Sequence, residues 1–433
     1  MKFRLNIRRL YLERVRKLSS KTQLSPMLPT PTKGQLEALS IFRTWYEKKQ
    51  YKKQQILRIG GAAGVGKGVL IQYIMDLYKF DIRSCWVVAY TGQAVNVLRQ
   101  RGIQAKTIHS SFMAAKEVPL YDEYGRPITR DGIPLVTTKF VPLKKISKKV
   151  KLIICDEYSF VPEDLEKLMA KHGVPILALG DPFQLPPVTG KQCFEMEDLD
   201  YVLTEIMRQH KDSEIVDLAT RIREHDKINP YKYNREVFFA NPMKTIEDTF
   251  LTYRACFRHA GMNICATNKQ RQIITDLYRE HIVKTDSPYP VAGERMICRR
   301  NDWNLTVGDF PLTNGTTGIC MSDVSRSNID RKRGTYVMDF QPNFINNDYF
   351  DNLVCNFKFL DLPFGDKIMT RIDEGHMVEF GHAITVHLSQ GSSAPGVTFM
   401  DGYRRDQEYM ARLRYTAVTR ATQWLVYIQA WAD

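Results

Sequence analysis

The sequence predicts an α/β fold of two parallel-sheet units, each carrying an inserted β-rich segment. Three observations predict it. Short runs that are apolar on nearly every residue, ending at Gly60, Ala89, Cys155 and Leu179, alternate with helical patterns, as strands buried on both faces of a parallel sheet do. A glycine-rich run, Gly61-Ala62-Ala63-Gly64-Val65-Gly66-Lys67-Gly68, follows the strand Ile56 to Ile59 and opens a helical pattern from Val69 to Tyr78. A second set of apolar strands, at Asn263 to Ala266, Thr398 to Met400 and Leu425 to Ile428, marks another unit starting near Met243.

The glycine-rich run reads as a P-loop. Its glycines let successive backbone N–H groups close on phosphate oxygens, the helix start adds a favourable dipole end, and Lys67 reaches the terminal phosphates. The expected ligand is a nucleoside triphosphate. Gly68 departs from the pattern, because such loops normally place a Ser or Thr hydroxyl there to ligate Mg²⁺. The next strand, Lys151 to Cys155, ends in Asp156-Glu157, two acids suited to holding Mg²⁺ and polarising an attacking water. A third apolar strand, Pro175 to Leu179, runs into Gly180-Asp181-Pro182-Phe183-Gln184-Leu185-Pro186-Pro187-Val188, where a neutral amide sits on a proline-stiffened loop.

These three segments together resemble the superfamily 1 helicases, and the resemblance spans nearly the whole chain, with the RecD-like and phage Dda-like branch, superfamily 1B, matching best. It implies two RecA-like P-loop motor domains, with an inserted hairpin (pin-like) subdomain and an SH3-like barrel insertion. It also implies ATP and Mg²⁺ as cofactors, with Asp156 on the metal, Glu157 as general base and Gln184 sensing the γ-phosphate. Thr32-Lys33-Gly34-Gln35 resembles the family's Q motif, in which Gln35 reads the adenine edge; the same residues fit a helix capping box. Leu203 to Gln209 and Tyr415 to Ala421 resemble the segments that supply arginines to the nucleotide, here Arg208 and Arg420.

Nucleic-acid contacts follow from the resemblance in the same way. Thr91 and Gly92, in Tyr90 to Ala94, resemble motif Ia; Thr107 to Ser110, with His109, resembles the segment after it. Thr267 and Asn268 end a strand resembling the second motor's strand-binding segment. Thr385, His387, Ser389 and Gln390 lie in a stretch resembling motif V, although Leu388 stands where the family often has lysine. Hydroxyls and backbone amides suit phosphate contacts that position a strand without reading its sequence. For His109 and His387 a buried structural role is the competing reading.

Composition agrees. Sixty-two Lys and Arg face 48 Asp and Glu, a net charge of +14 that favours a polyanionic partner. Eight basic residues precede Thr22 against Glu13 alone, so residues 1–27 form a basic arm. The arm suits DNA or a replication protein as its partner, and its Arg-rich, acid-poor character also resembles a mitochondrial transit peptide. No long apolar run suggests a membrane span. The eight cysteines form no Cys-x-x-Cys pair, which points to reduced thiols and a cytoplasmic setting.

The expected organisation is a first motor over 28–111 and 150–240, a pin or wedge over 112–149, a second motor over 241–317 and 376–433, and the barrel over 318–375. Asp131-Gly132 is the expected hairpin turn of the pin, and Tyr121, Tyr124 and Phe140 are its aromatics. The expected enzyme is a monomeric ATP-dependent DNA helicase that moves 5′ to 3′ on single strands and opens junctions in replication, recombination or repair, with ATP bound between the motors. The alternative, prompted by Gly68, is an ATP-regulated single-strand-binding protein with weak or no hydrolysis.

Overall fold

The computed structural model describes residues 28–429 except 120, 122–123, 128, 131–132, 135, 188–189, 206–211, 309, 346–347, 357–359, 361–374 and 403–405. The basic arm and Arg208 lie outside the described residues. The chain divides into two compact units. One holds the chain up to Tyr90, Arg101–Phe112 and Leu143–Val216; the other holds Thr91–Gln100, Met113–Pro142 and the chain from Asp217.

The first unit is built on a six-stranded parallel sheet in the spatial order Tyr201–Leu203, Ile56–Gly61, Ile176–Gly180, Leu152–Asp156, Cys85–Ala89 and Ala105–Thr107. Its central strands are sealed from water, with Leu152 to Cys155 and Ile176 to Leu179 fully buried, so their continuous apolar character needs no alternation. The helix Lys33–Glu47 packs Ala38, Leu39, Phe42 and Trp45 inward at an apolar spacing near one turn. Its start is a complete capping box between Thr32 and Gln35.

The second unit contains a five-stranded parallel sheet ordered Val237–Ala240, Ala421–Ile428, Ala394–Met400, Met262–Cys265 and Ile384–Thr385. The strand Val237–Ala240 corrects the expected boundary at residue 240. It pairs with Leu425 to Ile428 and so belongs to the second sheet, not the first. The helix Gly92–Gln100 also groups with this unit, although it was expected within the first motor. Close packing explains that: a Cβ on Gly92 would meet the Thr313 side chain at 2.2 Å, and Asn96 Nδ2 donates to Thr313 Oγ1.

Further β structures belong to this unit, among them a short hairpin of Asp302–Val307 with Phe310–Leu312. Met113–Pro119 pairs antiparallel with Val136–Pro142 in unbroken register, and Thr129–Arg130 pairs with Ile133–Pro134 further along the same excursion. The pairing of Arg130 with Ile133 is the two-residue hairpin spacing that Asp131-Gly132 predicts. The other insertion is an antiparallel sheet ordered Ile329–Asp330, Thr335–Pro342, Thr317–Cys320, Arg295–Cys298 and Val378–Phe380, with Phe350–Asn356 also on Thr335–Pro342. It recruits strands from both sides of the expected 318–375 range. A bridge between Cys355 and His376 brings Phe350–Asn356 back toward Val378, around a core that includes Met296, Tyr336, Phe340, Phe350 and Val378.

Candidate nucleotide and nucleic-acid site

In the first unit the functional loops leave the carboxyl ends of three neighbouring strands. Gly64 and Gly66 adopt positive φ of 82° and 83°, a region glycine enters without a Cβ penalty, and Gly66 forms the turn into the helix Lys67–Tyr78. Lys67 Nζ donates to the carbonyls of Gly61 and Ala62, so the lysine closes the loop on itself. Gln35 joins this loop to the first helix. Its Oε1 accepts from Thr32 N at 2.9 Å and its Nε2 donates to Gly66 O at 3.2 Å. The capping and P-loop readings of Gln35 therefore meet in one buried side chain.

Asp156 ends its strand half-buried. Burial pushes its carboxyl up from the ordinary value, against the opposing pull of the Lys67 charge. Glu157 takes a left-handed backbone, φ 51°, uncommon for a residue with a side chain, and starts the short turn Tyr158–Phe160. Ser159 in that turn touches the next loop: its Oγ accepts from Asp181 N at 3.4 Å. Asp181 in turn accepts from Phe183 N at 3.1 Å and from Gln184 Nε2 at 3.4 Å. The two-acid turn and the Gln184 loop are thus one hydrogen-bonded assembly. His109 is half-buried with its ring 6.1 Å from Tyr90, and burial lowers its pKa, which fits the structural reading.

In the second unit Thr91 Oγ1 accepts from Ala94 N and starts its helix, while Gly92 is buried against Thr313. Gly391, at φ 75°, comes so close that a Cβ there would meet Thr91 Oγ1 at 2.9 Å. The segments resembling motifs Ia and V are therefore neighbours. Gln390 is buried, and its Nε2 has no hydrogen-bond partner among the described residues. Ser389 corrects its assignment as a strand contact: it is fully buried, and its hydroxyl donates to Val386 O at 2.7 Å to close the turn. Gly92 is likewise a packing glycine with no exposed face. Thr385 is buried in its strand, and His387 faces the Tyr409 hydroxyl at 3.3 Å.

Thr267 caps the helix Asn268–Tyr278 through Gln270 N, which leaves Asn268 and Lys269 exposed at the helix start. Arg420 is buried. Its guanidinium donates to Thr416 O, Ser392 O and Thr419 Oγ1, tying the segment after the helix Gln407–Val418 to the Gln390 turn. The sequence reading passed over Asp401, a buried acid just past the strand Ala394–Met400 that accepts from Arg414 Nε at 2.8 Å and Tyr427 Oη at 2.7 Å. Its signal, an acid at a strand end, is the one that singled out Asp156.

Residues 45–238 match the model of an AAA domain family, and residues 380–428 match the UvrD-like helicase C-terminal domain. No curated protein matches the chain. Among solved structures it is similar to a Pif1 helicase from Bacteroides in complex with ADP-AlF3 and single-stranded DNA, at 16% identity, TM-score 0.51 and 92% coverage of each chain. It is also similar to a Bacteroides Pif1 bound to single-stranded DNA, at 17% identity, TM-score 0.52 and 92% of each chain. A structure of two coordinating Pif1 helicases at forked duplex DNA gives 18% identity and TM-score 0.53, over 94% of this chain and 92% of that one. With a P-loop and an acidic strand end in the matched AAA domain and a UvrD-like helicase C-terminal domain after it, the chain carries the domains of an ATP-hydrolysing helicase on a fold shared with these Pif1 structures.

Proposed function

We propose that the protein moves 5′ to 3′ along single-stranded DNA and opens duplexes at single-strand junctions, fuelled by Mg²⁺-dependent ATP hydrolysis. The observation that carries this reading is the convergence of Lys67, Asp156 and Gln184 at the carboxyl ends of adjacent parallel strands, where ligands bind in open α/β sheets. Gln35 engages the adenine edge, the amides of Gly61 to Gly66 and the Lys67 ammonium hold the phosphates, and Glu157 takes the proton of the attacking water. Arg208 and Arg420 balance charge developing on the transferred phosphoryl group.

The donor set fits Mg²⁺. Among the described residues no group of three or more His, Cys, Asp or Glu side chains is placed to hold a metal ion. Mg²⁺ ordinarily needs only one or two carboxylates beside substrate phosphates and water, so Asp156 is the residue that would hold it. When bound, the ion neutralises charge on the phosphates.

Thr91, Asn268 and Gln390 are the proposed strand contacts that remain after Ser389 and Gly92 turn inward, with His109, Thr267, Thr385 and His387 shaping their loops. The inserted hairpin acts as the wedge, with Tyr121, Tyr124 and Phe140 exposed on it for stacking on bases. The six-stranded antiparallel sheet is the SH3-like barrel. The single-strand and forked-duplex complexes of the similar Pif1 structures support this substrate class. We assign residues 1–27 to DNA or a replication partner, and the protein to the cytoplasm as a monomer serving replication, recombination or repair. A partial duplex with a 5′ tail should be unwound and one with only a 3′ tail left intact, and binding should weaken steeply with salt. Preferential unwinding from the 3′ tail would overturn the direction.

A further inference from the structure

The P-loop helix of this chain lacks a side chain at its second residue, and the vacated space is filled. A Cβ built on Gly68 would lie 2.3 Å from Arg101 Nη1 and 3.5 Å from its Cζ, with no other neighbour within 4 Å outside the local backbone. The guanidinium therefore rests on the helix where a P-loop hydroxyl would start. Its backbone is anchored to the same helix, because Gln72 Nε2 donates to Arg101 O at 3.1 Å. Gly102, at φ 77°, then turns the chain toward the buried Ile103 and the strand Ala105–Thr107. Arg101 is exposed and so open to a ligand.

We propose that Arg101 is a phosphate-binding residue of this nucleotide site, its guanidinium engaging nucleotide phosphate oxygens from the position that Gly68 leaves open. The proposal rests on the reading of Gly61 to Gly68 as a nucleotide site. A guanidinium carries a permanent charge and a planar fork of donors that matches phosphate oxygens, which a neutral hydroxyl does not. A hydroxyl acts on phosphate through the metal it ligates, whereas an arginine acts without one. Gly68 and Arg101 are then a matched pair, and nucleotide affinity depends less on Mg²⁺ than a hydroxyl-bearing loop would require.

The test is ADP binding by titration calorimetry, in excess Mg²⁺ and in EDTA. It compares the wild type, Arg101→Ala, Arg101→Lys, Gly68→Ser and the double variant Arg101→Ala with Gly68→Ser. Arg101→Ala should weaken metal-free binding on the order of tenfold and Mg²⁺-supported binding much less, with Arg101→Lys between it and the wild type. Gly68→Ser should produce a similar metal-free loss, because its Cβ must displace a flexible guanidinium. In the double variant the two losses should not add, as expected for residues sharing one contact. Metal-free binding unchanged in Arg101→Ala, equal losses with and without Mg²⁺, or fully additive losses would each overturn the proposal. A wild type that binds ADP in neither condition would overturn the nucleotide-site reading along with it.

Discussion

Gly180→Ala probes whether the two-acid turn and the Gln184 loop act as one assembly, since Gly180 is placed in neither metal nor phosphate contact. A Cβ at Gly180 would lie 2.9 Å from the backbone N of Ser159 and 2.8 Å from the Phe194 ring. Ordinary contact begins near 3.4 Å, so the Ser159 turn must retreat by about 0.5 Å, an overpacking that costs about 1–3 kcal/mol of stability. Glu157 is two residues from Ser159, its direction set by its left-handed backbone, and it moves with the turn. A misplacement of ~1 Å costs on the order of a hundredfold in rate, so half of that predicts roughly a tenfold loss, about 1.4 kcal/mol on the barrier. The assay is DNA-stimulated ATPase with kcat and KM separated, beside urea unfolding. The kcat should fall with KM for ATP nearly unchanged, while Ser159→Ala, which spares the backbone contact, should lose much less. Wild-type kcat in a measurably destabilised Gly180→Ala would refute the mechanical link.

Lys67→Ala should abolish DNA-stimulated turnover, and Glu157→Gln should keep ATP binding while blocking hydrolysis; normal ATPase rates in either would remove the assigned roles. Glu379→Gln should destabilise the protein by about 3–5 kcal/mol in urea unfolding, because it strips the carboxylate from two buried guanidinium groups, and a loss below ~1 kcal/mol would contradict this. That carboxylate lies 3.3 Å from Arg271 and 3.5 Å from Arg299, and burial pushes Arg299 down to about 10 despite the pull of Glu379. His382 is fully buried with its Nε2 3.1 Å from Glu294, and burial lowers its pKa below the ordinary 6.5 despite the carboxylate. The unfolded chain then binds the proton first, so stability should fall as pH drops through about 6.5, and His382→Gln should flatten that slope. Burial would raise Glu294, but hydrogen bonds from His382 and Arg279 outweigh it and hold its pKa below 4.5; the resulting stability persists above that pH and is lost in stronger acid.

The sequence exposes the elements whose chemistry is local. Leu152 to Cys155 and Ile176 to Leu179 are legible as buried parallel strands because both faces must be apolar, and the glycines of the P-loop mark the positive φ that Gly64 and Gly66 adopt. Asp131-Gly132 predicts the hairpin from its turn chemistry. What stayed hidden depends on partners distant in the chain. Val237–Ala240 is a four-residue run with no periodicity to name its sheet, and only its register with Leu425 to Ile428 assigns it. Gly92 and Ser389 sit in motif-like segments, yet their inward packing depends on Thr313 and on the Val386 carbonyl. Arg101 lies 33 positions beyond Gly68, where no spacing rule connects them.

The double engagement of Gln35 has a consequence for base choice. Its amide is already occupied at rest, by the Thr32 amide at one end and the Gly66 carbonyl at the other. A base that takes up either end exchanges one hydrogen bond for another, and the net gain is the small difference between them, on the order of 1 kcal/mol or less. If Gln35 reads the base as proposed, adenine selectivity there should therefore be shallow and its main effect mechanical. Drawing the amide toward a base would loosen its hold on Gly66, so a bound base would be felt at the bend where the phosphate loop becomes helix.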